Sequence, residues 1–437
     1  MAFGRFQDFL GGLVKGQRKL FFSGGTAPTM DELLEKLMGT NGEVSAIVAA
    51  RELLDLFNAS DDGAKLAFFN TLEQDFNADE ASVKLAFSDY EKNPGSSTLN
   101  RLSRVTEPRR QELLRRLNQT PGATHDLVSM RTDLHRLLRD NPQLQSVDED
   151  FVRLFTSWFG RGFLVLQTID WSTSAAILER IIRYEAVHEI RDWEDLRSRI
   201  EPIDRRCFAF FHPALTDEPL IFVEVALSQS IPGSIRSILE DRAEADTDTS
   251  KFTTATFYSI SNCQPGLKQI SFGNFLIKQV VQELQAEFPS IKQFVTLSPI
   301  PGFSRWLKKE PRRESEELQA LKAEVGALIP QHKPDVALYE DNADAIKQLV
   351  FNYLTQAKKD KYPADPVARF HLGNGAMIHQ IHTLADLSEK GLQQSCGTMV
   401  NYLYDLRYIE RNHEKYVTEG EIEFNDKLKP LLIKSKT

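Results

Sequence analysis

The sequence predicts a multidomain α + α/β protein, an all-helical domain over residues 1–157 followed by a mixed α/β domain over 158–437. Three observations predict it. Apolar residues recur at helical spacing through the first part: Val44, Ile47, Val48, Leu54 and Phe57, then Ala64, Leu66, Phe68, Phe69, Leu72 and Phe76. Such spacing puts one apolar stripe along a helix. Past Trp158 the texture changes to short continuous apolar runs, which read as buried strands. Helical patterns separate those runs, and strands interleaved with helices indicate an α/β domain.

Taken in order, residues 1–20 mix Arg5, Lys15, Arg18 and Lys19 with Phe3, Phe6, Phe9, Leu10 and Leu13. No uninterrupted apolar core of a secretory signal is present, so an ordinary first helix is expected. Segments 93–97 and 120–122, rich in Gly, Pro, Asn and Ser, read as loops. Arg109, Arg110, Arg115, Arg116, Arg131 and Arg136 are interspersed with acids and read as a solvated helix face. No chemical constellation falls in this half, which suggests scaffold or oligomerisation work. Strands are expected over 162–166, 207–211, 220–227, 253–260 and 293–297, and helices over 174–184 and 271–288. The acidic run 240–251 reads as an exposed loop.

Composition narrows the function. The chain has 437 residues, 26% of them charged, and a net charge of -9. That balance disfavours a duplex nucleic-acid binder, which would carry a basic face. No run of eighteen apolar residues occurs, so neither a transmembrane helix nor a membrane partner is expected. Three cysteines, Cys207, Cys263 and Cys396, are too few for a disulfide scaffold, and a reducing cytoplasm is the simple reading. The terminal Ser435-Lys436-Thr437 lacks the Leu of a peroxisomal address.

Three places carry chemistry. The strand expected at 253–260 leads through a glycine-containing loop, with Lys268, Gln269, Ile270, Ser271, Phe272, Gly273 and Asn274, into a helix. Strand, small-residue loop and helix N-terminus form a layout that binds phosphate through backbone N–H groups, and Lys268 adds a full charge. On spacing alone a plain loop with a helix cap is the preferred reading. Neither a P-loop nor a dinucleotide fingerprint is present. Ser298 follows an apolar strand, and Pro299 should stop that strand with the hydroxyl at its end. His371 lies between an apolar, strand-like run and the Gly373-Asn374-Gly375 turn, a position suited to proton transfer. His379 and His382 lack a carboxylate or cysteine cluster to complete a metal site, so none is assigned. Cys396 reads as a small packing residue.

Three stretches in the same order, 297–303 around Ser298, 366–376 around His371, and 395–404 with Asn401, Tyr402, Leu403 and Tyr404, resemble signatures of the malonyl-CoA decarboxylases. The similarity runs from about Phe163 to Asp405. It implies a GNAT-like fold for the second domain, with the CoA diphosphate on Lys268 through Asn274. The family can carry an acidic residue in this loop, where Ser271 stands here. It implies Ser298 and His371 as catalytic residues and Tyr404 beside them, with Tyr402 as the competing tyrosine and Asn374 shaping the pocket. Substrate and product would be malonyl-CoA and acetyl-CoA, and the protein a homotetramer assembled through its helical domain.

The chemistry fits those residue types. Loss of CO2 leaves two electrons that delocalise into the thioester carbonyl as an enolate. The thioester is thus the electron sink, no separate cofactor is expected, and the CoA belongs to the substrate. His371 is expected to protonate the α-carbon while Ser298 bonds the carboxylate or enolate. Two other readings share parts of this pattern: a CoA-dependent GNAT-type acyltransferase, and a non-catalytic helical interaction protein.

Overall fold

The computed structural model describes residues 28–39, 42–240, 248–270, 275–309, 314–327 and 336–433. The 1–20 segment, residues 241–247 of the acidic run and the Ser435-Lys436-Thr437 end lie outside the described residues. The chain forms two compact units. One comprises Met1–Val165 with Phe211–Glu218 and Gln264–Phe272, and the other comprises Leu166–Phe210, Pro219–Cys263 and Gly273–Thr437.

The first unit is helical, as the periodicity predicts. Its helices include Glu43–Ala59, Asp62–Gln74, Arg109–Leu117, Ala123–Leu138 and Gln145–Trp158. Asp61 caps the second of these by accepting the Ala64 N–H, which satisfies an otherwise orphaned donor. Phe57, Phe68 and Phe69 meet edge-on at 5.1, 5.5 and 5.7 Å between ring centroids, and their burial anchors the core. The loop expected over 93–97 closes at Ser96, where the Ser96–Val105 helix begins.

The arginines correct one expectation. Arg110 is 3% exposed and Arg131 fully buried, so neither belongs to a solvated face. Each is paired with a buried carboxylate, Arg110 with Asp150 and Arg131 with Asp148, as a charge removed from water requires. Arg115, Arg116 and Arg136 do retain solvent contact.

The second unit holds the sheet. Its strands are β1 (Val165–Ile169), β2 (Arg205–Phe211), β3 (Pro219–Ser228), β4 (Thr254–Asn262), β5 (Gln293–Thr296) and β6 (Ser298–Pro299). A separate two-stranded ladder joins β7 (Lys358–Lys359) to β8 (Tyr362–Pro363), and β9 (Met377–His382) and β10 (Met399–Leu403) complete the set. The main sheet runs β1-β2-β3-β4-β5-β10-β6, with β9 also on β10. The run expected at 162–166 starts as a turn at Arg161–Phe163, closed by the Phe163 N–H on the Gly160 carbonyl, before the strand begins at Val165. β3 and β4 pair antiparallel but β4 and β5 pair parallel. A parallel pair needs a crossover, here the Phe275–Glu287 helix; residues 271–274 of the expected 271–288 helix lie outside the described residues. Cys207, Cys263 and Cys396 are all buried free thiols. Among the described residues no helix is long and apolar enough to cross a membrane.

The ladder at β5–β6–β10 prepares the site. Val295 opposes Leu403 and Ser298 opposes Val400, so the register is the same on both sides of a pause at Leu297. At the pause the backbone turns to other partners. Leu297 N–H donates to the Phe257 carbonyl of β4 at 2.9 Å. Asn401 Nδ2 donates to the Thr296 carbonyl at 2.7 Å, and the Tyr402 N–H reaches Thr296 Oγ1 at 3.2 Å. The strand therefore does not stop at Ser298; it pauses one residue earlier and resumes through it.

Candidate active site

His371 stands on a helix, Pro366–Gly373, not at a strand end. The reason is local. The Asp365 carboxylate accepts the N–H groups of Val367 and Ala368 at 2.9 and 3.0 Å, and Pro366 fills the first helical position, where its missing N–H costs nothing. Ala368, His371 and Leu372 then fall on one buried stripe. The same Asp365 accepts from the Gly302 N–H at 3.2 Å, tying this helix to the Ser298 segment. Gly302 has no room for a side chain, since a Cβ there would lie 2.1 Å from the Tyr353 hydroxyl. Just past the helix, Gly375 turns the chain with a φ of +83° that suits glycine, and a Cβ there would meet the Ile409 carbonyl at 2.2 Å.

Ser298, His371 and Tyr404 come together. His371 Nε2 lies 3.1 Å from Ser298 Oγ, and Nδ1 lies 2.8 Å from the Tyr404 hydroxyl. Ser298 Oγ donates to Thr296 Oγ1 at 2.8 Å. With the serine proton committed there, Ser298 Oγ accepts from Nε2–H, and Nδ1 accepts the Tyr404 hydroxyl proton. Donors thus point one way, Tyr404 to His371 to Ser298 to Thr296. The Tyr402 ring stacks on the imidazole at 4.7 Å and 26°. Both tyrosines of the sequence reading therefore touch the histidine, Tyr404 through its hydroxyl and Tyr402 through its face.

All four side chains are buried. Burial pushes the His371 imidazole down to about 3 and the Tyr402 and Tyr404 phenols well up, because a low dielectric disfavours each charged form. The resting group is neutral throughout. Asp365 is raised by burial, against the backbone N–H groups that favour its charge.

Other expected residues lie elsewhere. Asn374 donates to the Phe370 carbonyl at 2.6 Å, at the end of the histidine helix. His382 Nε2 is bonded to Asn401 Oδ1, and His379 Nδ1 lies 3.5 Å from Asn425 Nδ2, so each histidine faces an asparagine. Lys268 and Gln269 are exposed and Ile270 is buried; Ser271, Phe272, Gly273 and Asn274 lie outside the described residues. Thr296 and Asp365 were given no role in the sequence reading, and Asn401 entered it only as part of a signature. Only Asp365 had a usable sign, the Asp-Pro pair of a helix start.

A neutral imidazole strung between a phenol and a serine, on a mixed α/β unit, is an arrangement of the kind that can move a proton. Comparison with known families makes this specific. Residues 162–437 match the malonyl-CoA decarboxylase C-terminal domain and residues 76–159 the N-terminal domain. The crystal structure of malonyl-CoA decarboxylase from Rhodopseudomonas palustris is 47% identical with a TM-score of 0.86, covering 92% of this chain and 98% of that one. The Agrobacterium vitis structure is 45% identical with a TM-score of 0.83, covering 93% and 100%. The mitochondrial malonyl-CoA decarboxylase of Anser anser anser is 34% identical over 393 residues, 82% of this chain and 77% of that protein. The chain belongs to the malonyl-CoA decarboxylase family, and is accordingly a carboxy-lyase.

Proposed function

We propose that Ser298, His371 and Tyr404 carry the conversion of malonyl-CoA to acetyl-CoA and CO2. The observation that supports this most is the one-way hydrogen-bonded chain Tyr404–His371–Ser298. The C–C bond breaks and its electron pair enters the thioester carbonyl, giving CO2 and an enolate. The Ser298 hydroxyl turns its one proton from Thr296 Oγ1 to the substrate, donating first to the carboxylate and then to the enolate oxygen. His371 gives its Nε2 proton to the α-carbon, forming the C–H bond of acetyl-CoA. A neutral ring suffices as donor, since the α-carbon of the enolate is a stronger base than the imidazolate nitrogen the transfer leaves. Tyr404, donating to Nδ1, stabilises the charge left on the ring until solvent returns the proton. The CoA diphosphate would rest on the loop that begins at Lys268. No nucleophile or further cofactor enters the scheme.

His371→Ala and Ser298→Ala should each lower turnover at least about a hundredfold while CoA still binds. Near-normal turnover in both variants ends the assignment. Mass spectrometry of purified protein with malonyl-CoA should show acetyl-CoA and CO2 without any acceptor amine, whereas an acyltransferase would need the acceptor. We further read the protein as a cytoplasmic homotetramer assembled through its helical part, on the family resemblance. Light scattering giving a monomer would overturn that reading.

A further inference from the structure

We propose that Arg131, in the helical unit, is a positioning residue for CoA binding, acting by holding the 264–270 loop through two of its backbone carbonyls. This rests on the reading of that loop as the CoA segment. Arg131 lies on the Ala123–Leu138 helix and is 0% exposed. Its Nη1 donates to the carbonyls of Gly266 and Lys268, both at 2.8 Å. Its Nε and Nη2 fork onto Asp148 at 2.8 and 3.3 Å. His135 Nε2 lies 3.0 Å from the same carboxylate. Burial works against the Asp148 charge, yet the bonds from His135 and Arg131 hold its carboxyl below the usual range.

The loop is seated with no slack. A Cβ on Gly266 would lie 1.9 Å from the Val128 carbonyl of that helix. Gln269 adopts a left-handed φ of +72°, which a side chain rarely takes without surroundings that impose it. In a trans peptide the C=O and the following N–H point in opposite directions. With the Lys268 carbonyl turned to Arg131, the Gln269 N–H is turned away from the helix, at two exposed residues.

The chemistry explains why an arginine does this. A released loop carbonyl would present its negative end to an incoming diphosphate. A guanidinium that anchors two carbonyls inward keeps the amides outward. Packing alone does not require it, because burying a charged pair is costly and apolar residues of similar volume often serve as well. Half of the donor capacity used here goes to the loop, not to the partner carboxylate.

The test separates substrate binding from chemistry. Arg131→Met should raise KM for malonyl-CoA at least tenfold with kcat changed less than threefold. R131M/D148L replaces both charges with apolar groups, keeps the unit folded by thermal melt, and should show the same split. Arg131→Lys should recover part of the loss, since an ammonium still donates to one carbonyl. Arg110→Met removes a second buried arginine among the described residues of this unit, which faces Asp150 and Asn77, and should leave KM within twofold. An equal rise in R110M, or an unchanged KM in R131M/D148L, overturns the proposal. Hydrogen exchange of amides 266–270 with and without CoA keeps the two readings apart. No protection by CoA in the unmodified protein refutes the loop as the CoA segment. Protection that persists at the same CoA concentration in R131M refutes only the positioning role.

Discussion

The Ser298 hydroxyl sets the tautomer of the imidazole it touches: its own proton is on Thr296 Oγ1, so it accepts from Nε2–H and leaves Nδ1 to accept from Tyr404. Tyr404→Phe removes the donor to Nδ1 and leaves the ring free to flip tautomer. A lost hydrogen bond to a group that develops charge is worth roughly 1.5–3 kcal/mol, so kcat should fall about tenfold to a hundredfold with KM for malonyl-CoA nearly constant. Steady-state kinetics of that one variant checks it. Thr296→Val acts at the other end. It removes the acceptor that holds the Ser298 proton, allows the serine to turn on the histidine, and should cost activity without altering the melting temperature by more than a few degrees. A Thr296→Val enzyme with unchanged kcat would show that the direction of the chain has no bearing on turnover.

At the level of the element, the histidine helix teaches the most. Its run of Val367, Ala368, Phe370 and Leu372 around His371 looks like a buried strand because strands and short buried helices share continuous apolar composition. The deciding information was one residue further out, in the Asp365-Pro366 pair. Asp365→Ala strips two helix N–H groups and the Gly302 N–H of their acceptor at once. A lost cap costs about 0.5–2 kcal/mol, and thermal denaturation should show a drop of that order or somewhat more. Asp365→Asn, which keeps an acceptor oxygen, should lose less. The strands expected at 207–211, 220–227, 253–260 and 293–297 were legible because each is a short apolar run closed by turn residues; the one expected at 162–166 is displaced, its strand being Val165–Ile169. The paired serine and histidine were legible as residues, through their resemblance to a known signature, but their geometry was not. The Thr296 pause depends on side chains of β10, far along the chain. Likewise, whether an arginine is solvated or buried depends on its acid: Asp148 and Asp150 stand 17 and 40 positions from their partners.

For the whole molecule, buried histidines set the response to acid. His371 lies at about 3 and His188 at about 4, both pulled down from 6.5, and burial is the leading cause in each. Above pH 6.5 neither the folded nor the unfolded chain protonates them, and their contribution to stability is fully present. As pH falls below 6.5 the unfolded chain binds protons that the folded one refuses. Each histidine then removes about 1.4 kcal/mol per pH unit, His188 down to about pH 4 and His371 further. Denaturant melts between pH 7 and pH 4.5 should show a steep, monotonic loss, shallower in a His188→Gln variant. The rate itself should show no inflection near 6.5 traceable to His371.

The uninterrupted pairing of Ser298 with Val400, across the skipped rung at Leu297, has a consequence for any lineage that gains or loses a residue there. Sides of a sheet alternate with a step of one. Excising Leu297 alone would swing the hydroxyl to the opposite surface, away from the imidazole, without unravelling a single neighbouring strand. Such a chain would be well folded and silent, and only a second excision or a compensating insertion on the same strand could restore its voice.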